Sequence, residues 1–265
     1  MLAATPPVAL FIGGHDPSGG AGLVADIQTA SQLGVHPLTL VSALTDQDTE
    51  NVFEMRPVDP QFLETAFARI LADCPPACLK IGLIGSPALI ETLARLLAEH
   101  PDLPVVFDPV LRASGGFEFG RIPEWVEAIR SSLLRHITLL TPNLAELAAL
   151  APDAATPEAA ARALQDLGTR AILVTGADHE PGSPEVMASL YRDSAPPKIW
   201  RDLRLPGAFH GSGCTLAAAI TSLLARGFPL ERAIGTALHW THVSLLHARA
   251  LGRGGQIPFR LSLFR

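Results

Sequence analysis

The 265-residue chain carries only three cysteines, Cys74, Cys78 and Cys214. That number builds no disulfide framework and suits a reducing compartment, so the cytoplasm is the expected location. Positive charge is in deficit as well. The formal net charge is -6 and the sequence pI about 5.8, which leaves no global basic field to recruit nucleic acid. No stretch of roughly 18 apolar residues runs without polar interruption, so no membrane span is expected. The opening MLAATPPVALFIGGHD has no basic leader and its apolar stretch breaks at Gly13. It reads as a first buried strand and not as a signal peptide. Internal repeats and low-complexity linkers are absent too.

What remains is a hydrophobic content of 48% and an alternation of short apolar runs with helical spacing. This pattern predicts a single α/β domain over residues 1–265. Strands are expected at Val8–Ile12, Pro37–Leu44, Cys78–Ile84, Val105–Phe107, Thr138–Leu140 and Ala171–Val174. Val186–Tyr191 and Ile199–Leu203 alternate like an antiparallel pair at a sheet edge. Helices are expected at Leu23–Leu33, Gln61–Leu71, Pro87–Glu99, Trp125–Leu134, Leu144–Leu150 and Pro157–Leu167. Two more run from about Gly213 to Ala225 and from Leu230 to about Ala250. The segment TDQDTENV after the second strand reads as a polar loop.

Several strands end in polar or glycine-rich segments: GGHDPSGG, DQDT, DPV, TPNLAE and TGADH. Ligands of open parallel sheets bind beyond the carboxyl ends of the strands, so these loops are expected to converge on one crevice. GGHDPSGGAG is a backbone-rich turn able to approach a ligand. It contains neither the G-x-G-x-x-G dinucleotide fingerprint nor the G-K-[ST] of a P-loop, and an ordinary strand-helix turn is the plain alternative. Asp26, one turn into the next helix, reads either as a solvated acid or as an acceptor facing the crevice.

In TPNLAELAAL, Asn143 and Glu146 share one face of a starting helix. They can hold a hydrated Mg²⁺, which takes few protein ligands, or simply cap the helix. HGSGCT carries the most information. Gly211, Ser212, Gly213 and Cys214 present consecutive backbone N–H groups at a helix N-terminus, an anion hole suited to a transferring phosphoryl group. The same helix end is expected to lower the Cys214 thiol pKa, making a thiolate base or nucleophile near neutral pH. Small residues packed at a helix start are the alternative. His210 has no Asp or Asn placed by sequence to orient it. CPPAC is a poor half of a metal site, and His239, His242 and His247 lie on a late helix without an H-E-x-x-H pattern.

Taken in order and spacing, GGHDPSGGAGLVADIQTASQLG, SALTDQDT, IGLIGS, DPVLRASGG, LLTPNLAEL and HGSGCTLAAAI resemble the hydroxymethylpyrimidine/phosphomethylpyrimidine kinases of thiamine biosynthesis. The resemblance implies a ribokinase-like fold, a three-layer αβα sandwich with a mostly parallel central sheet. It implies ATP-dependent phosphorylation of 4-amino-5-hydroxymethyl-2-methylpyrimidine and of its monophosphate, with Mg²⁺ as cofactor and a homodimer as the assembly. By motif match, Gly14, Asp26 and Gln47 bind the pyrimidine. Asp108, Asn143, Glu146, Thr175 and Gly176 serve ATP and its phosphates, with Glu146 and Asp108 toward the metal. Gly211, Ser212, Gly213 and Cys214 form the anion hole and base. The adenine is expected near TGADH and the last two helices. Thr175 stands where many of these kinases carry lysine, and Lys80 and Arg112 are the cations nearest by sequence order. The rival readings are a pyridoxal kinase of the same fold and a pyrimidine-binding module that has lost catalysis.

Overall fold

Apolar residues alternate along the strands, and the alternation sends them to two faces. In the first strand Leu10 and Ile12 enter one core while Ala9 and Phe11 enter another. Such two-sided burial is what a parallel sheet covered by helices on both faces requires. In the computed structural model, which describes residues 5–112, 119, 121–176, 183–193 and 195–260, that sheet has nine strands. They are β1 (Val8–His15), β2 (His36–Gln47), β3 (Val52–Pro57), β4 (Cys78–Ile81), β5 (Val105–Phe107), β6 (Leu139–Leu140), β7 (Ala171–Thr175), β8 (Glu185–Arg192) and β9 (Lys198–Leu203). The helices are α1 (Gly22–Gln32), α2 (Pro60–Asp73), α3 (Pro87–Ala98), α4 (Ile122–Ala128), α5 (Leu144–Leu150), α6 (Pro157–Asp166), α7 (Ser212–Ala225) and α8 (Leu230–Leu246).

The strand order is β3-β2-β1-β4-β5-β6-β7-β8-β9. Strands β2, β1, β4, β5, β6 and β7 are parallel, with β3 antiparallel at one edge and β8 and β9 antiparallel at the other. Helices α2 to α6 cover one face, and α1, α7 and α8 the other. This is the expected αβα sandwich. Among the described residues no helix is long and apolar enough to cross a membrane. Residues 113–116 of DPVLRASGG and 177–179 of TGADH lie outside the described residues.

Several expectations change, among them the strand expected over Cys78–Ile84, which ends at Ile81. TDQDTENV is not all loop: β2 continues to Gln47, and the chain returns as β3. Asp48 makes the reversal, its Oδ1 accepting from the backbone N–H groups of Glu50 and Asn51 at 2.8 Å each. The helix from Trp125 to Leu134 becomes α4 followed by a π-helical turn at Ile129–Leu133 and a 3₁₀ turn at Leu134–His136. Ser131 and Ser132 donate back to the carbonyls of Glu127 and Ala128, which loosens the regular ladder there. Finally, α8 stops at Leu246 and not near Ala250, because Arg249 pairs with Ile257 in an isolated bridge.

The strand order reverses its direction of growth between β1 and β4. From β1 the chain adds β2 and β3 on one side, and from β4 it adds β5 to β9 on the other. A crevice opens beyond the strand ends at such a switch point.

Candidate active site

That crevice is a cavity of about 480 Å³. Its walls come from the segments after β1, β4, β5, β6 and β7 and from the N-terminus of α7. Each strand therefore delivers a polar loop to the same place, as the sequence pattern predicts.

The β1–α1 loop is shaped by Asp16. Its Oδ1 accepts from Ser18 N at 2.8 Å and its Oδ2 from Ala21 N at 2.8 Å. His210 Nε2 lies 2.8 Å from the same Oδ2. Burial raises the Asp16 pKa, but hydrogen bonds from His210, Gln47, Ser18 and Ala21 outweigh it and hold the carboxyl well below the usual range. The histidine thus does have an orienting carboxylate, supplied by the other end of the chain. Gln47 joins this network and lines the cavity, as does Gly14.

Asp26 departs from expectation. Its side chain is fully buried, and it is not among the residues lining the cavity. Both of its oxygens lie 3.0 Å from Lys80 Nζ. The reason is strand alternation: in β4 Leu79 and Ile81 enter the core under α2 and α3, so Lys80 emerges on the face carrying α1. Burial pushes the Asp26 carboxyl up to about 6 against the pull of Lys80. Burial also works against the Lys80 ammonium, but Asp26, Cys214 and Asp108 outweigh it. Lys80 rather than Asp26 meets the cavity, and it does so already committed to a carboxylate. Of the two cations nominated for the phosphates, Arg112 also stands on the cavity wall.

Asn143 and Glu146 form a full capping box on α5. Asn143 Oδ1 accepts from Glu146 N, and Glu146 Oε2 accepts from Asn143 N, both at 2.9 Å. The capping reading holds, and the two residues also line the crevice. Burial, then the charge of Asp108, pushes the Glu146 carboxyl up to about 8 despite its bonds to Asn143. Burial likewise raises Asp108, with Lys80 and the Cys214 thiol opposing. Asp108 Oδ2 is buried without a hydrogen-bond partner. Thr175 ends β7 with its N–H and Oγ1 on the Pro142 carbonyl, at 2.9 and 3.4 Å, and lines the cavity. Gly176, one residue on, does not line it.

Gly211 to Cys214 lie where α7 begins, along the cavity wall. Gly211 has φ +85°, and a Cβ there would sit 1.9 Å from the Gly20 carbonyl oxygen. The start of α7 and the first glycine loop touch at this point, and only glycine fits. The expected low thiol pKa is not found. Burial pushes Cys214 up to about 12; Lys80 opposes it, while Asp108 and Asp26 add to it. The α7 N-terminus does not overcome burial beside two carboxylates.

Sequence reasoning missed Asp16, His210 and Arg260. Asp16 had a local signal, since Asp-Pro-Ser-Gly is turn chemistry. His210 and Arg260 depend on contacts with residues 194 and 241 positions earlier, which no local pattern encodes.

A family model described as phosphomethylpyrimidine kinase matches residues 16–259. The hydroxymethylpyrimidine/phosphomethylpyrimidine kinase of Salmonella typhimurium is 34% identical over 255 residues, covering 93% of this chain and 93% of that protein. The phosphomethylpyrimidine kinase structure from Clostridium difficile superposes with a TM-score of 0.77 at 26% identity, covering 90% of this chain and 99% of that one. An ADP complex of Bacillus subtilis pyridoxal kinase gives a TM-score of 0.84 at 26% identity, over 96% and 98% of the two chains. A cavity at the sheet switch point and this breadth of match agree: the chain belongs to the phosphomethylpyrimidine kinase family and is a phosphotransferase.

Proposed function

We propose that the chain moves the γ-phosphoryl group of ATP to the hydroxymethyl group of 4-amino-5-hydroxymethyl-2-methylpyrimidine, and then phosphorylates that monophosphate. The observation that carries this reading is the meeting of Gly211–Cys214, Asp108, Glu146 and Gln47 around one cavity. Phosphoryl transfer needs positioning and charge neutralisation more than covalent chemistry, and these groups offer both. Gln47, which can donate and accept, suits a ring nitrogen beside an exocyclic amine. The amides of residues 211–214 would receive charge building on the transferring group. Cys214 is assigned to the acceptor hydroxyl, holding it and, as thiolate, taking its proton. Lys80 opposes burial in favour of that thiolate.

Mg²⁺ fits the residues present. The partnerless Asp108 Oδ2 and the raised Glu146 carboxyl mark two crowded carboxylates that a cation would relieve. When bound there, Mg²⁺ would supply positive charge against the phosphates. Asp108 and Glu146 would hold it, and Asn143 would keep Glu146 in place through the capping box. The same reading includes a homodimer acting in the cytoplasm.

On this reading the second phosphoryl transfer would proceed without a lysine at Thr175, and Arg112, which lines the cavity, is the cation assigned to the phosphates in its place. Parallel measurement of kcat/KM on the pyrimidine and on pyridoxal tests the assignment. The pyrimidine is expected to be preferred at least about tenfold, a difference that one well-placed hydrogen-bonding side chain supplies. Preference for pyridoxal would overturn it.

A further inference from the structure

Arg260 lies one residue past the 16–259 span that the family model matches, yet it is 2% exposed. The chain returns to the site after α8 through specific backbone bonds. Arg249 and Ile257 exchange hydrogen bonds at 3.0 and 2.9 Å, and Phe259 N donates to the Ser244 carbonyl at 2.9 Å. Gln256 is paired on both sides of Phe209, donating to the Ala208 carbonyl at 2.8 Å and accepting from His210 N at 2.9 Å. The guanidinium then arrives at the start of α7. Nε donates to Thr215 Oγ1 at 2.8 Å, and Nη2 to the Gly20 and Gly211 carbonyls at 2.5 and 3.4 Å. Nη1 donates to the Gly19 carbonyl and to Gln28 Oε1, both at 3.3 Å.

Every one of these acceptors is uncharged. A buried cation is costly, and packing alone would be served better by an apolar side chain. What the fork does instead is join two loops. Gly19 and Gly20 lie in the β1–α1 loop between Asp16 and Ala21, which line the cavity, and Gly211 stands at the start of α7 on the cavity wall. The Gly211 carbonyl also accepts from Thr215 Oγ1 at 2.7 Å and Thr215 N at 3.0 Å, so it is held by three donors. Peptide planarity then has a consequence. In a trans peptide the C=O and the following N–H point in opposite directions, so anchoring the Gly211 oxygen aims the Ser212 N–H away from Arg260. Ser212 lines the cavity.

We propose that Arg260 is a positioning residue for phosphoryl transfer: it locks the Gly19–Gly20 loop to the Gly211 carbonyl and thereby aims the Ser212 N–H among the amides of residues 211–214. The inference rests on reading those residues as the anion hole. A planar five-donor fork can span the two loops, and a lysine ammonium cannot.

The test compares full-length wild type with Arg260→Lys, Arg260→Ala and Gly211→Ala, by steady-state kinetics with Mg-ATP and the pyrimidine and by thermal melting. Arg260→Lys and Arg260→Ala are expected to lower kcat by about 10- to 100-fold, the scale of a small misplacement of catalytic groups. The KM for the pyrimidine should stay within about threefold, because ground-state binding is not what the fork supplies. Millimolar methylguanidine should restore part of kcat in Arg260→Ala and none in wild type. If Arg260→Ala does not fold, Arg260→Lys carries the comparison. Wild-type kcat per folded molecule in either variant overturns the role of Arg260. Should Gly211→Ala lose turnover while the Arg260 variants keep it, the anion hole stands and only the inference about Arg260 falls. Should Gly211→Ala keep wild-type turnover, the anion-hole reading fails and this inference falls with it.

Discussion

Cys214 shows how far a residue's chemistry depends on what surrounds it. Its place at a helix start argues for a low pKa, but burial next to Asp108 and Asp26 drives the thiol the other way. The sequence could place the thiol and not its neighbours, because Asp26, Lys80 and Asp108 come from three different segments. Asp16 is the opposite case, a carboxylate that burial does not defeat, because four hydrogen-bond donors reach it. Its depressed pKa means that the native state favours the ionised form. The stability it contributes is full above the ordinary carboxylate pKa of about 3.9 and is lost as pH falls below that toward the folded value. Asp16→Asn should therefore cost about 2 kcal/mol near neutral pH, the scale of hydrogen bonds to a charged group. Urea unfolding at pH 7, 5 and 3 should show this gap closing between the last two. A gap that stays constant would detach the Asp16 carboxylate from stability.

At the scale of elements, the long amphipathic and apolar segments were legible and the places where chain direction changes were less so. Leu144–Leu150 and Val105–Phe107 match the sequence reading residue for residue, since their boundaries are set by Asn143 capping and Asp108-Pro109. β3 was not legible: its residues VFEMRP alternate weakly, and its partner strand continues through polar Thr45, Asp46 and Gln47. Edge strands of this kind are held by the ladder and by the Asp48 turn more than by burial. For α5, the capping box and the cavity make a joint claim on Asn143. Asn143→Ala should lower stability by about 1 kcal/mol, the usual cost of losing an N-cap. It should also weaken turnover, because the Glu146 N–H loses Asn143 Oδ1 and the helix start that carries Glu146 is held only by the residue-143 N–H to its Oε2. Differential scanning calorimetry with parallel kinetics checks both. A stability loss with unchanged turnover would leave α5 a capped helix and no more.

On the scale of the whole molecule, the site exists because strand order reverses between β1 and β4, so that loops far apart in sequence meet. Their convergence was readable from the polar strand ends alone. Which side chains face the cavity was not, since one-residue alternation in β4 puts Lys80 at the cavity wall and Asp26 behind it. The tail is the least legible part: Arg260 acts from beyond the last helix, through contacts with residues some 240 positions earlier. The central claim is that this assembled cavity phosphorylates the hydroxymethylpyrimidine with Cys214 at the acceptor hydroxyl. A time course of the pyrimidine with Mg-ATP, resolving monophosphate and pyrophosphate products, tests it directly with wild type and Cys214→Ala side by side. The account predicts monophosphate followed by pyrophosphate in the wild type. It predicts a loss of at least about 100-fold in rate for Cys214→Ala, the lower bound for removing a proton-transfer group, with pyrimidine binding largely retained. No pyrimidine-dependent product in the wild type, or full activity in Cys214→Ala, would contradict it.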